Sequence, residues 1–295
     1  LEDKGFKPDF KASGNLRYIH RTTSDREIYF ISNRTGSEVI DTCYFRDGKK
    51  TAELWDAVTG KIRLLPDVFP RDGFTGVPVR LAPYQSFFIV FYKPEKNSQN
   101  RSEEEKNFPE KSVLMTLSGP WSVSFDTSWG GPENIRFEKL TDWSVSPEDG
   151  IKYYSGKAVY SKTFSIPSFE GSIKKSEIWL DLGKVKNIAS VKLNNRDLGI
   201  VWTSPWELNI SDAIRETDNN LEITVINLWI NRLIGDESEP WDGIENGKWP
   251  EWLLNGTPRP TRRFTFTTHR YYGNGDPLAE SGLIGPARIE ISDKY

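Results

Sequence analysis

The sequence predicts an all-β protein built from two antiparallel β-sandwich modules. Short runs of β-branched and aromatic residues, such as Val39–Phe45 and Ser86–Tyr92, alternate with turn residues through most of the chain. No strand pattern is followed by a helical pattern with the spacing of a βαβ repeat, which disfavours a parallel α/β domain. The length of 295 residues suits two domains of ordinary size.

The first predicted module covers residues 1–95, and its turns are marked by glycine-bearing segments such as 33–36 and 59–60. Its predicted strands are residues 27–32, 39–45, 52–55, 77–81 and 86–92. Residues 96–111 are charged, polar and almost free of β-branched residues. Because such a composition cannot bury enough apolar surface to fold, we expect a solvated linker there.

The second predicted module covers residues 112–295, and its strand count suits a jelly roll or a related sandwich. Its predicted strands are residues 121–125, 135–140, 158–166, 177–182, 189–193, 198–202, 206–210, 221–226, 264–268 and 287–291. Asn194 and Asn195 predict a tight hairpin, since asparagine tolerates positive φ. Residues 211–216 predict one helical turn capped by Ser211.

Residues 231–263 interrupt the strand rhythm with a long segment that contains Trp241, Trp249 and Trp252. Long irregular loops inside compact domains are uncommon and are often functional. Residues 249–254 predict a short helix with Pro250 near its first position. Flat aromatic faces and hydrogen-bonding side chains are what a saccharide site needs, and this region supplies both. The candidate carbohydrate-binding residues are Arg232, Asp236, Trp241, Trp249, Trp252, His269, Tyr271 and Tyr272.

The alternative role for these aromatic residues is structural: they would cover an open end of the sandwich or contact a neighbouring domain. A core role is expected for the other tryptophans of the second module that lie in or beside strand patterns. These are Trp121, Trp179, Trp202, Trp206 and Trp229.

No catalytic constellation can be recognised in the sequence. The only histidines, His20 and His269, lie far apart, and the single Cys43 falls in an apolar strand pattern. Glycoside hydrolysis needs two facing carboxylates, and no pair stands out among the 42 acidic residues. No cofactor is predicted. A structural calcium ion is conceivable near Asp126, Asp142 and Asp181, although the spacing of a calcium-binding loop is absent.

The net charge of -3 and the lack of a basic stripe exclude nucleic acid as an expected partner. The longest apolar runs are far too short for a membrane span. The N-terminus begins with a polar segment that is neither an initiator methionine nor a signal peptide. We therefore expect a processed protein or an excised piece of one.

Several stretches resemble the β-sandwich regions of glycoside hydrolases. Residues 178–202 (IWLDLGKVKNIASVKLNNRDLGIVW), followed by Pro205 and Trp206, resemble the sugar-binding-like, galactose-binding-like domain of family 2 glycoside hydrolases. Residues 227–237 (NLWINRLIGDE) and 281–286 (SGLIGP) resemble the C-terminal region of glycoside hydrolase family 106, the α-L-rhamnosidases. Residues 16–21 (LRYIHR) and 28–33 (IYFISN) resemble the β-module that follows the catalytic barrel in that family.

The resemblance implies a bacterial enzyme that degrades polysaccharide in the periplasm or outside the cell. It places the catalytic acids in a (β/α)₈ barrel, which this sequence does not contain, so no catalytic residue is assigned. The first hypothesis is a non-catalytic portion of an α-L-rhamnosidase-like hydrolase, with the barrel of the same protein and an oligosaccharide or polysaccharide as partners. The second is an independent carbohydrate-binding module. The third is a small enzyme with a carboxylate pair between the modules.

Overall fold

A computed structural model describes residues 7–13, 15–46, 51–92, 106–168 and 176–293. Within these residues 21 strands form five antiparallel sheets, which confirms the predicted all-β sandwich architecture. The chain divides into two compact units. Unit 1 comprises Leu1–Ser112 with Ser292–Tyr295, and unit 2 comprises Val113–Ile291. No helix in the described part of the chain is long and apolar enough to cross a membrane.

Among its described residues unit 1 contains nine strands in two sheets. They are β1 (Phe10–Lys11), β2 (Leu16–Thr22), β3 (Arg26–Asn33), β4 (Val39–Phe45), β5 (Thr51–Trp55), β6 (Ile62–Leu65), β7 (Phe69–Arg71), β8 (Phe74–Leu81) and β9 (Ser86–Tyr92). One sheet has the order β1-β4-β8-β7 and the other β2-β3-β9-β5-β6.

The core of unit 1 follows from the period of two along its strands. In β3, Tyr29 and Ile31 are fully buried and alternate with half-buried neighbours. Tyr29 stands edge-on to Phe45 of the other sheet, with ring centroids 4.7 Å apart. Cys43 is also fully buried, and burial raises the pKa of its thiol. As expected, this cysteine is a small core residue.

His20 has a structural environment on β2. Its Nδ1 lies 3.0 Å from Asp9 Oδ2 and its Nε2 lies 2.9 Å from Glu27 Oε2. The imidazole stacks on Tyr29 with ring centroids 3.9 Å apart. Both ring nitrogens therefore have a carboxylate partner, and the ring connects the edge strand β2 to Asp9 and to Glu27 on β3.

Residues 96–105 of the predicted linker lie outside the described residues, whereas its last residues do not behave as solvated chain. Asn107 is 1% exposed and donates hydrogen bonds to the carbonyl oxygens of Asp67 and Pro78 at 2.7 and 3.1 Å. Phe108 packs against the unit 1 core. These two residues are part of unit 1.

Unit 2 contains twelve strands and three short α-helices among its described residues. The strands are β10 (Ser112–Thr116), β11 (Trp121–Phe125), β12 (Ile135–Phe137), β13 (Lys157–Phe164), β14 (Ser176–Asp181), β15 (Lys184–Lys186), β16 (Ile188–Leu193), β17 (Arg196–Val201), β18 (Glu207–Asn209), β19 (Asn219–Ile226), β20 (Gly282–Gly285) and β21 (Arg288–Asp293). The helices are α1 (Asp149–Lys152), α2 (Ile230–Asp236) and α3 (Glu251–Leu254).

A six-stranded sheet with the order β12-β11-β13-β19-β16-β17 forms one side of unit 2. A four-stranded sheet, β10-β21-β14-β18, and the β15-β20 pair complete the fold. The predicted hairpin is confirmed: Asn194 and Asn195 have φ of 53° and 65°, and they connect β16 to β17. The assignment of unit 2 to the jelly-roll or galactose-binding-like type stays a prediction.

Trp143 lies in the core of unit 2 with no exposed surface. Its indole Nε1 donates a hydrogen bond of 2.6 Å to the Tyr160 hydroxyl, and burial raises the pKa of that hydroxyl. Gly282 has φ of +96°, and a Cβ atom there would lie 2.4 Å from Trp143 Nε1. Only glycine therefore suits this position.

Two local predictions are wrong, and a third holds in part. A single helical turn is present near residues 211–216, since the Ile214 N–H donates to the Ile210 carbonyl at 3.0 Å, but the Ser211 hydroxyl accepts from the Ile178 N–H and does not cap the turn. Residues 264–268 are not a strand. The segment expected to be irregular from residue 231 instead begins with helix α2. The predicted short helix near Pro250 is confirmed as α3, with Pro250 as its N-cap residue.

The expected core role is also wrong for two of five tryptophans. Trp121 is 1% exposed, but Trp202 and Trp229 are 58% and 50% exposed. Trp202 follows the last residue of β17, and Trp229 follows β19 by three residues, so both lie just beyond the strands whose alternation predicted burial.

Candidate functional site

The candidate site is the segment between α2 and β20, residues 237–281, which we call the aromatic segment. It contains helix α3 and otherwise follows an irregular path. Asn231 on α2 ties its two ends together, because the side-chain amide donates to the Ala279 carbonyl at 2.7 Å and accepts from the Ala279 N–H at 2.8 Å. The Asp142 carboxylate accepts a hydrogen bond of 2.9 Å from the Ser281 N–H. These contacts close the segment into a loop.

A buried charged cluster holds the middle of the aromatic segment. The Asp242 carboxylate accepts hydrogen bonds from Arg259 Nη2 at 2.7 Å and from Thr261 Oγ1 at 2.6 Å. The Arg263 side chain, 3% exposed, pairs with Glu237 and lies 4.0 Å from Asp242. Charges buried in this way are stable only when they are paired and hydrogen-bonded.

The electrostatics of Asp242 follow from this cluster. Burial by itself would raise the pKa of the carboxyl group. The hydrogen bonds from Arg259 and Thr261 and the charges of Arg259 and Arg263 outweigh burial, so the pKa of Asp242 lies below its usual value. Asp242 therefore remains ionised and serves as an anchor for the two arginines.

Arg232 and Asp236 form a second buried pair on α2. Asp236 Oδ2 accepts hydrogen bonds from the Thr265 N–H at 2.7 Å and the Thr265 hydroxyl at 2.6 Å. The Arg232 guanidinium lies 3.8 Å from Asp236 Oδ1 and 4.4 Å from the Phe264 ring centroid. Arg232 and Asp236 are 6% and 2% exposed, so both side chains lie in the interior of the unit.

Trp241 and Trp252 are half-buried and belong to the frame of the segment. The guanidinium groups of Arg263 and Arg270 lie 5.0 and 5.1 Å from the Trp241 ring centroid. Trp252 Nε1 donates a hydrogen bond of 2.9 Å to the Asp242 carbonyl. Cation–π contacts of this kind fix the orientation of the indole rings.

An exposed aromatic face lies beside this frame; we define it as Trp249 and Phe266. Trp249 is 49% exposed, and its ring stacks on Phe266 with centroids 5.9 Å apart and planes 16° apart. Phe266 and Tyr271 are 37% and 66% exposed. His269 is also exposed and stands edge-on to Tyr271, with centroids 6.0 Å apart.

The structure thus divides the eight predicted residues into two groups. Trp249, His269 and Tyr271 are exposed, and Tyr272 is half-buried beside them in sequence. The other four are interior or framing residues: Arg232, Asp236, Trp241 and Trp252. Whether any of them binds a saccharide stays a prediction.

Sequence reasoning missed the most important framing residues, Arg259, Arg263 and Thr265. Their partners are 17, 26 and 29 residues away in the sequence. It also missed Phe266, because the alternation of residues 264–268 was interpreted as a strand. The alternation is real, but Thr265 is buried while Phe264 and Phe266 are exposed.

The three aspartates considered for calcium act as turn caps. Asp126 and Asp142 accept hydrogen bonds of 2.9 Å from the Ser128 and Ser144 N–H groups, and Asp181 accepts one of 2.7 Å from the Gly183 N–H. Across the described ranges, no group of three or more His, Cys, Asp or Glu side chains could hold a metal ion.

Two known proteins match nearly the whole chain. A protein of Formosa agariphila with the name "Putative beta-glucuronidase" is 40% identical over 305 residues, which cover 97% of this chain and 26% of the relative. The structure of a rhamnosidase from Novosphingobium sp. PP1Y is 31% identical, with a TM-score of 0.79, and the match covers 99% of this chain and 26% of that one. The chain therefore spans about a quarter of the length of these relatives.

The family model described as α-L-rhamnosidase, glycoside hydrolase family 106, matches residues 1–66. This region includes the stretches 16–21 and 28–33 that carried part of the predicted resemblance. The family match at the N-terminus and the superposition on a rhamnosidase confirm the resemblance of this chain to the β-sandwich region of the glycoside hydrolase family 106 α-L-rhamnosidases.

Proposed function

We propose that this chain is a non-catalytic β-sandwich region of a bacterial α-L-rhamnosidase-like glycoside hydrolase. In this proposal it supports a catalytic barrel of the same polypeptide, and the enzyme acts in the periplasm or outside the cell. The observation that carries the proposal is that 99% of the chain superposes on only 26% of the Novosphingobium rhamnosidase.

The carboxylates of Asp236 and Asp242 support a non-catalytic role. Glycosidases need a general acid and a second carboxylate that face each other across the scissile bond. Asp236 and Asp242 are 2% and 8% exposed, and both accept hydrogen bonds from Thr or Arg side chains, so neither is open to a substrate. The pKa of Asp242 also lies below its usual value, so this carboxylate stays ionised and is a poor general acid.

The isolated chain should therefore release no product from aryl α-L-rhamnosides. The measurement is release of nitrophenol at enzyme concentrations up to the micromolar range, with a complete family 106 enzyme as the positive control. Turnover that disappears when one Asp or Glu is replaced would contradict the proposal, because a carboxylate pair of this chain would then be catalytic.

The second candidate function is an independent carbohydrate-binding module, and the exposed aromatic face favours it. Contiguous exposed apolar patches often mark interaction sites or ligand-binding grooves. Trp249 stacks on Phe266 and is still 49% exposed, so part of the indole surface is open to a sugar ring.

Trp249→Ala tests glycan contact by the aromatic face. If the face binds rhamnose-containing oligosaccharides, calorimetry should show at least a fivefold loss of affinity, since a central aromatic contact contributes more than about 1 kcal/mol. The melting temperature should change little, because Trp249 is half-exposed.

Trp202→Ala is the matched control, since this indole is exposed to a similar extent but lies next to the six-stranded sheet. Equal affinities of the two variants, or no binding heat with the unmodified chain, would argue against glycan contact at this face.

A further inference from the structure

The outer face of the six-stranded sheet in unit 2 has an apolar corner, formed by Ile188, Ile200 and Ile226. Three more apolar residues follow the ends of its strands: Trp202 directly after β17, and Leu228 and Trp229 two and three residues after β19. The pairing register places the three isoleucines together. Ile188 on β16 pairs with Ile226 on β19, and Ile200 on β17 pairs with Ser190, two residues from Ile188. Residues two apart on a strand share a face, so these three isoleucines are neighbours.

All six side chains are accessible in the isolated unit. The isoleucines at 188, 200 and 226 are 39%, 60% and 38% exposed. The side chains just beyond the strand ends, Trp202, Leu228 and Trp229, are 58%, 49% and 50% exposed. Trp229 also contacts Trp129, which stands edge-on to it with centroids 5.3 Å apart.

The opposite end of the same sheet face is polar. There Ser122 pairs with Arg136 and with Ser161, and Lys192 pairs with Glu222. Lys192 Nζ lies 3.5 Å from the Glu222 carboxylate. A sheet face that meets water carries polar side chains of this kind. The apolar corner is therefore a local departure from a solvated face, and contiguous apolar patches of this type mark interaction surfaces.

We propose that the apolar corner is the surface on which another domain of the same, longer polypeptide packs. This inference rests on the proposed function, namely that the chain is part of a longer glycoside hydrolase. The matched relatives are about four times as long as this chain, so about three quarters of each lies outside the region that these two units occupy. Domains of one chain meet through interfaces of about 600–1,500 Å².

The chemistry of the corner favours a protein domain over a saccharide. The side chains of the corner and of the three residues that follow its strands are aliphatic or indole groups, and the isoleucines and leucine offer no hydrogen bond to sugar hydroxyls. Saccharide and other small-molecule sites need placed polar groups to fix the ligand. A complementary apolar protein surface needs none.

The test compares Ile200→Asp in the isolated chain and in the longer polypeptide that contains it. In the isolated chain the aspartate remains exposed, so its effect on the melting temperature should match that of Ile40→Asp within about 1 °C, Ile40 being a 72% exposed strand residue of unit 1. In the longer polypeptide the charge would be buried, and unfolding of this region should shift down by at least about 4 °C.

The second variant, Trp202→Ser, lies outside the strand and tests whether the corner binds saccharide. The second measurement is hydroxyl-radical footprinting, which reports the solvent exposure of Trp202. Oxidation of Trp202 should fall at least fivefold in the longer polypeptide. Equal shifts of Ile200→Asp in both proteins together with equal oxidation of Trp202 would overturn the inference. So would a dimer of the isolated chain that Ile200→Asp dissociates, or saccharide binding that Trp202→Ser abolishes. Rhamnoside hydrolysis by the isolated chain would contradict the proposed function instead.

Discussion

Replacing Asp242 by alanine is expected to open the aromatic segment while the sandwich of unit 2 stays folded. The carboxylate is the acceptor for Arg259 and Thr261 and the counter-charge near Arg263. Its removal leaves Arg263, 3% exposed, with less compensating charge. Removing one partner of a buried charged cluster costs about 3–5 kcal/mol.

The loss should be local because no residue of the aromatic segment belongs to the main hydrophobic core of unit 2. Limited trypsin digestion measures it directly, since Arg263 is buried in the folded chain and becomes accessible when the segment opens. We expect cleavage there at least tenfold faster than in the unmodified chain, with unchanged far-ultraviolet circular dichroism.

Asp276→Ala is the matched control within the same segment. Asp276 is exposed and accepts one hydrogen bond of 2.9 Å, from the Gly273 N–H. Its loss should cost no more than about 1 kcal/mol. Cleavage rates that are the same for both variants would show that the charged cluster does not hold the segment.

The same cluster predicts a pH dependence. The pKa of Asp242 in the folded chain lies below the ordinary value of 3.8. A depressed pKa means that the contribution of Asp242 to stability is fully present above the unfolded value and is lost as the pH falls through the folded value. The stability difference between the unmodified chain and Asp242→Asn should be constant from about pH 5 to 7 and shrink below about pH 4. Hydrogen exchange of the aromatic segment across this range measures it.

Trp143→Ala should have the largest effect on the stability of unit 2. The indole is fully buried, and it packs edge-on against Phe125 and Tyr154 with ring centroids 5.2 and 5.8 Å away. Truncation of a buried tryptophan costs about 3–5 kcal/mol, because the cavity collapses only in part. It also leaves the buried Tyr160 hydroxyl without its indole donor.

Urea denaturation followed by tryptophan fluorescence measures this effect in unit 2. Trp55 is the only tryptophan in unit 1, so the signal reports mainly on unit 2. Trp143→Phe should lose less than Trp143→Ala, since it keeps an aromatic ring. A Trp143→Ala variant that is no less stable than Trp202→Ala, which truncates an exposed indole, would contradict this account of the core.

Much of the fold could be predicted from local patterns. The strands Val39–Phe45, Ser86–Tyr92 and Trp121–Phe125 have the predicted bounds, because alternation with a period of two is a property of consecutive residues. The same local reading was wrong for residues 264–268. There the backbone N–H of Thr265 finds its partner in the Asp236 carboxylate rather than in a neighbouring strand.

The position of the candidate site in the chain could be predicted, but the sequence did not show which of its aromatic residues are exposed and which are held within the segment. An interrupted strand rhythm with several tryptophans indicated an unusual segment. The sequence could not distinguish Trp249, at the surface, from Trp252, whose indole is hydrogen-bonded within the segment. Trp252 lies on α3 and Trp249 only two residues before its first residue, so the local sequence treats them alike.

The sequence by itself determined the all-β class, the Asn194–Asn195 hairpin and the resemblance to the α-L-rhamnosidases, since each depends on residues close together in the chain. Only the tertiary structure decided that Asp242 meets Arg259, that Asp236 meets Thr265, and that Ile188, Ile200 and Ile226 share one exposed face. These contacts join residues separated by many positions in the chain. The pairing of the buried charges depends on how the loop closes, and the shared face of the isoleucines depends on how the strands align.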